Sequence, residues 1–278
     1  MSKVLRVDIN TISPLKIKLP PKHIPIKEPV TGVALFDIHH PYYDENALNA
    51  VFQFIKDQKP DILVLGGDQI NGDSISHWLE NKRRQTENKR IKIEYDSFDR
   101  DILKPLEKMS DWKEKIWLTG NHEDWINQQL DNTPQYEGLI EPDAVLKLHK
   151  RGWITKEYND EYHIGKMVIT HGMYTNMHHA KKMCENYEQP IFYGHTHDIQ
   201  TYTRIFKGGQ SLPRIAQSCG CLCKENEMVY LRKKPTNWCH GFLYFTIRPE
   251  GKFTAIVFPI IEGKFSFGRK TYGEVEKN

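Results

Sequence analysis

Residues 33–41 read VALFDIHHP, and residues 62–68 read ILVLGGD. Each stretch carries a four-residue apolar run straight into a polar cluster that holds an aspartate. Runs of that length suit strands buried on both faces, whereas a buried helix needs a longer apolar pattern at helical spacing. The same figure recurs three times further on: KIWL at 115–118 leads into TGNHED, MVIT at 167–170 into HG, and IFY at 191–193 into GHTH. In α/β architectures the loops beyond the carboxyl ends of the strands share one edge of the sheet, so residues remote in sequence meet there. The five clusters are therefore expected to form one site on an α/β fold.

Working outward, Asp44 stands where it can cap a helix whose apolar residues Leu48, Val51, Phe52 and Ile55 recur at helical spacing. Residues 74–110 predict a largely helical segment with a charged middle, NKRRQTENKRIK, and apolar Ile102, Leu103 and Leu106 beyond it. A helix carrying Trp125, Ile126 and Leu130 follows GNHED, another is expected near 142–150, and residues 200–265 read as short strands punctuated by Gly and Pro. Proline and lysine crowd the first thirty residues, which suits an extended arm. The expected organisation is an arm over 1–30, one domain over 31–265 and a tail over 266–278.

Composition narrows the class. In 278 residues, 38% are apolar and 11% aromatic, enough for a sizeable core and unlike a disordered chain. A net charge of +3 neither demands nor excludes a nucleic-acid partner. Five cysteines, an odd number, do not resemble a secreted disulfide framework. The first ten residues lack a signal-peptide apolar run, and no stretch approaches the length of a membrane span. A cytoplasmic location without membrane contact is expected; oligomeric state is left open.

The clusters offer carboxylate, imidazole and amide oxygen and no thiolate. Such donors suit divalent manganese first, with iron, zinc, nickel or cobalt as alternatives. Seven residues, Asp37, His39, Asp68, Asn121, His171, His195 and His197, are too many for one tetrahedral ion. They suffice for two divalent ions if one carboxylate bridges them, an arrangement that clamps both oxygens of an in-line phosphoryl displacement.

The ordered series Asp37-Ile38-His39, Gly67-Asp68, Gly120-Asn121-His122-Glu123, His171-Gly172 and Gly194-His195-Thr196-His197 resembles the full signature of the calcineurin-like metallophosphoesterases. The resemblance implies a four-layer αββα sandwich with a dinuclear metal site at the sheet edge. It implies that Asp37, His39 and His197 hold one ion, that Asn121, His171 and His195 hold the other, and that Asp68 bridges them. It also implies a catalytic role for His122, a non-ligand histidine beside the phosphate that orients it or protonates the leaving oxygen. Within the family the chain looks most similar to phage and prophage metallophosphoesterases, on SISHW at 74–78, SCGCLC at 218–223 and WCHGF at 238–242. Protein Ser/Thr phosphatases continue the bridging aspartate with Asp-Arg-Gly, whereas Gln69, Ile70, Asn71 and Gly72 follow Asp68. That departure leaves the group that orients His122 unidentified.

The expected function is hydrolysis of a phosphodiester, of DNA, RNA or a nucleotide, by hydroxide from a metal-activated water. A phosphomonoesterase acting on a nucleotide, metabolite or phosphoprotein is the alternative, and a non-catalytic metal-binding scaffold is a third class. His40 and His77 lie near motifs but read as packed or solvated histidines. Cys219, Cys221 and Cys223 alternate and would share one strand face, where they read as core rather than as a zinc site. The basic run Lys82, Arg83, Arg84, Lys89, Arg90 and Lys92, interspersed with Glu80, Glu87 and Glu94, reads as a solvated helix face before it reads as a phosphate footprint.

Overall fold

The computed structural model describes residues 26–207, 213–228, 231 and 234–274. Its first half runs β1 (Val30–Leu35), α1 (Glu45–Gln58), β2 (Ile62–Leu65), α2 (Arg83–Thr86), α3 (Ile91–Phe98), α4 (Lys104–Glu107), β3 (Glu114–Leu118), α5 (Asn121–Asn132), α6 (Pro142–Leu146) and β4 (Trp153–Lys156). The second half adds β5 (Glu161–Ile164), β6 (Met167–Thr170), α7 (His179–Asn186), β7 (Ile191–Tyr193), β8 (Thr201–Arg204), β9 (Arg214–Ser218), β10 (His240–Ile247), β11 (Phe253–Ile260), β12 (Phe265–Phe267) and β13 (Lys270–Tyr272).

Among the described residues the strands form two large sheets, ordered β11-β10-β1-β2-β3-β4 and β5-β6-β7-β9-β8, and a β12-β13 hairpin. Alternation along β1 shows how the layers arise. Val33 and Leu35 point to one face, where they pack with α1 and α3 residues such as Val51, Phe54, Tyr95 and Phe98. Ala34 and, just past the strand, Phe36 point to the other, where Ile169 of β6 and Phe192 of β7 meet them. The outer face of the second sheet packs Val168, Ile191 and Tyr193 against Met183 and Cys184 of α7. The result is helix, sheet, sheet, helix, the expected αββα sandwich. Burying each strand on both faces is what the unbroken apolar runs require.

Strand β1 runs parallel to β2 and β2 parallel to β3, while β6 runs parallel to β7 in the other sheet. Asp44 caps α1 by accepting a hydrogen bond from the Ala47 N–H at 2.8 Å, which fixes the chain just after the first polar cluster.

Three segments differ from their sequence expectation. Residues 74–90 contain only a 3₁₀ turn at His77–Leu79 and the one-turn α2, and continuous helix begins at Ile91. The charged middle has no apolar stripe to bury, so it cannot be held as one long helix. The expected tail at 266–278 carries part of a hairpin instead: Phe265 and Tyr272 are buried against Phe54 of α1, with ring centroids 5.6 and 5.2 Å away. Most of the expected arm, residues 1–25, lies outside the described residues; Ile26 packs on the inter-sheet core and Val30 already belongs to β1. No helix among the described residues is long and apolar enough to cross a membrane.

Candidate metal centre

Each polar cluster sits where its strand stops. Asp37 follows β1, Asp68 follows β2, Asn121 opens α5 after β3, His171 follows β6, and His195 and His197 follow β7. The chain turns so sharply there that Asp37, His39, Asp68, His195 and His197 all hold φ between 47° and 68°. That left-handed region costs a non-glycine residue on the order of 1 to 3 kcal/mol, and such strain collects at functional sites. Neighbouring glycines make the room. At Gly67, with φ 102°, a Cβ would overlap the His171 ring, and at Gly120 it would overlap the Asp68 carboxylate.

The turns bring the six titratable residues into two groups that share Asp68, all buried except the partly exposed His195. Asp37, His39, Asp68 and His197 form one, and Asp68, His171 and His195 form the other. In the first, His39 Nε2 lies 3.2 Å from His197 Nε2 and 3.6 Å from Asp68 Oδ2, and His197 Nε2 lies 3.2 Å from Asp37 Oδ1. In the second, His171 Nε2 lies 3.5 Å from Asp68 Oδ1 and 3.1 Å from Asn121 Oδ1. Asn121, an uncharged amide, thus completes the second cluster.

Hydrogen bonds set which imidazole nitrogen faces inward. His39 Nδ1 is 3.1 Å from Asn71 Oδ1 and His171 Nδ1 is 3.1 Å from the Gly66 carbonyl oxygen. Carbonyl oxygens only accept, so both Nδ1 atoms carry the proton and both Nε2 atoms present lone pairs. The His171 lone pair then faces the Asn121 oxygen, acceptor to acceptor, and Asp37 Oδ1 is buried with no hydrogen-bond partner. Buried acceptors that converge without a donor are costly unless a cation lies among them. The donor set therefore fits divalent metal ions.

The electrostatics agree. Burial raises the Asp68 carboxyl, but the imidazoles of His122, His171 and His39 outweigh it and hold the group well below the usual carboxylate range. Burial drives His39 down, reinforced by His122, and brings His195 to about 4 with help from His171, so both are neutral and able to donate lone pairs. His197 goes the other way: burial lowers it, yet the adjoining Asp37 carboxylate pushes it up to about 9. A metal ion would displace the proton that the Asp37 charge favours on His197.

His122 stands beside this centre, and its partner is a backbone group. His122 Nδ1 donates to the Asn71 carbonyl oxygen at 2.7 Å, its ring packs on Trp125 at 4.0 Å, and Nε2 faces Asp68 Oδ2 at 3.8 Å. Glu123, read from sequence only as part of GNHE, ties two loops together. Its carboxylate accepts the N–H groups of Asp68, Gln69, Ile70 and Gly120 at 2.7 to 3.0 Å. Burial and the Asp68 charge push its pKa up to about 8, and the N–H donors pull against that.

The late cysteine and tryptophan motifs find a structural use behind His197. Trp238 packs on its ring at 4.0 Å, and Cys223 Sγ is 4.0 Å from Nδ1. The three alternating cysteines do not share one face: Cys219 packs between the sheets, whereas Cys221 and Cys223 join Met228 in a separate cluster. Gly220, at φ 75°, turns the chain between them. Asp198 was not singled out in the sequence, yet it accepts from Thr196, Ser218 and Asn237 and meets His179 Nε2 at 3.0 Å, bracing the GHTH turn.

His40 is buried, with Nε2 2.7 Å from Ser97 Oγ; the side chain of His77 lies outside the described residues. In the basic run, Lys89 pairs with Asp73 and Lys92 with Asp96, so part of its charge is already matched.

The sequence profile of the calcineurin-like phosphoesterases matches residues 37–202, more than half of the chain and the whole of the centre just described. The protein belongs to that family. Among curated proteins it is 25% identical over 253 residues to the Gene 54 proteins of Mycobacterium phages L5 and D29, covering 84% of this chain and 95% of each relative. The phage-type resemblance of the late motifs is consistent with this. Solved structures with a similar course include vacuolar protein sorting 29 from Cryptosporidium parvum, at a TM-score of 0.45 and 11% identity over 89% of this chain and all of that one. Wild-type Vps29 from Entamoeba histolytica, complexed with zinc, aligns at a TM-score of 0.42 and 11% identity, over 85% of this chain and 96% of that one.

Proposed function

We propose that this protein is a hydrolase of phosphodiester bonds, in a nucleic acid or nucleotide, that works with two divalent ions, manganese foremost. Asp37, His39 and His197 would hold one ion, Asn121, His171 and His195 the other, and Asp68 would bridge them. The observation that carries this reading is the pair of largely buried donor groups sharing the Asp68 carboxylate, with lone pairs turned inward by the bonds to Asn71 and Gly66. When bound, two such ions polarise a phosphoryl group and make a water nucleophilic at neutral pH.

The chain's own groups do the rest. Strained turns and the Glu123 clamp fix the donors before substrate arrives, which places the cost of organisation in folding rather than in the reaction. His122 presents Nε2 at the edge of the centre, its other nitrogen committed to Asn71, and is positioned to move a proton at the leaving oxygen. A scaffold that only bound metal would use the same lone pairs but would have no use for a His122 ring held with Nε2 toward the centre.

Hydrolysis of bis-p-nitrophenyl phosphate beside p-nitrophenyl phosphate, with manganese and with chelator, tests the proposal. Chelator-sensitive turnover that favours the diester is the expected result. A preference for the monoester would move the protein to the alternative class, and no turnover of either by manganese-loaded protein would contradict a phosphoesterase.

A further inference from the structure

Trp125, the ring that backs His122, also lines a hollow of about 310 Å³. Its other walls come from the segment just past the Asp68 turn, with Ser74 and Ser76, and from α5, with Gln128, Gln129 and Asn132. Gln128 and Asn132 are four residues apart and so project from one helix face. The Ser74 hydroxyl is buried and has no hydrogen-bond partner among the described residues. An unpaired buried hydroxyl costs stability, and a ligand that bonds to it removes that cost.

The chemistry of the lining selects the ligand. Asp73 and Glu80 contribute carboxylates and no Lys or Arg lines the hollow among the described residues, so it is unsuited to an anion. Carboxamides and hydroxyls both donate and accept, as the edges of nucleobases do, and the mostly buried Trp125 indole gives the hollow an apolar edge. The hollow adjoins His122 through the Trp125 ring packed on it.

We infer that this hollow is a nucleobase subsite that selects nucleic acid or nucleotide substrates at the neighbouring metal centre. It rests on the phosphodiesterase reading, and it names the substrate's recognised part. A base would sit beside the Trp125 edge and bond to Ser74, Gln128 and Asn132, while the phosphodiester lies at Asp68 and His122.

The test compares kcat/KM for a dinucleoside monophosphate, thymidylyl-thymidine, with that for bis-p-nitrophenyl phosphate. Both carry flat rings, and only the first carries hydrogen-bonding base edges. In the Gln128→Leu/Asn132→Leu variant the ratio of the two values is expected to fall about tenfold, the worth of two modest hydrogen bonds. An unchanged ratio overturns the subsite. If the double variant turns over neither substrate, Ser74→Ala decides by the same ratio. Wild-type protein that cleaves bis-p-nitrophenyl phosphate and never the dinucleotide overturns the subsite alone; wild-type protein that cleaves neither overturns the phosphodiesterase reading with it.

Discussion

The His122 side chain is held by a carbonyl oxygen and an indole face, and its hydrogen bond to a proposed ligand comes from the backbone N–H, which donates to Asp68 Oδ1 at 2.9 Å and survives side-chain replacement. Replacing it should therefore remove proton transfer and leave the ions. His122→Ala is expected to lose turnover by on the order of 10²- to 10⁴-fold while retaining the manganese content of the parent; loss of metal would show that His122 is a ligand. Glu94 gives a second prediction at this scale. Its carboxylate accepts the Asn71 and Gly72 N–H groups at 2.7 and 2.8 Å, and burial pushes its pKa up to about 7. A carboxyl raised from its ordinary value near 4.5 is neutral in both folded and unfolded chains at low pH. As pH climbs from about 4.5 to 7 the unfolded chain ionises first, and folding loses on the order of 3 kcal/mol. Glu94→Gln keeps an acceptor for both N–H groups without a proton to lose. The Tm of this variant relative to the parent should rise across that window and level off above it; a constant difference would refute the assignment. The convergence of Asp37, His39, Asp68, Asn121, His171, His195 and His197 was legible in the sequence, because each follows an apolar run. The parts played by Asn71, Glu123 and Trp125 were not. They act on backbone groups or a ring, and such contacts leave no spacing to detect.

At the scale of elements, the runs ILVL, MVIT and IFY coincide with β2, β6 and β7, and Asp44 caps α1 as expected. Short runs buried on both faces are easy to see because nothing polar interrupts them. The β12-β13 hairpin escaped notice for the opposite reason: between Phe265 and Tyr272 the sequence SFGRKT is mostly polar, and the two buried rings are too few to set a period. Those rings nevertheless close the end of the core around Phe54. Phe265→Ala should cost about 3 kcal/mol, as a buried aromatic cut to a methyl group usually does, measured by chemical denaturation; a cost near zero would show that the hairpin is dispensable. The segment 74–90 misled because helix-forming charged residues favour helix locally, whereas without an apolar stripe only short turns persist.

At the scale of the molecule, two sheets back to back place two sets of strand ends against each other, and the shared carboxylate of Asp68 lies where they meet. The first sheet supplies Asp37, His39, Asp68 and Asn121, and the second supplies His171, His195 and His197. The layering was implied by the family resemblance, and the αβ alternation followed by strands fits it. The strand order, with β10 inserted beside β1, could not be anticipated, because pairing between remote strands depends on packing rather than on any local pattern. If two ions sit between the sheets and Asp68 bridges them, the manganese content of reconstituted, desalted protein tests this most directly. Elemental analysis should find two ions per chain in the parent and almost none in Asp68→Asn. One ion or none in the parent, or two retained in the variant, would contradict a dinuclear centre bridged by Asp68.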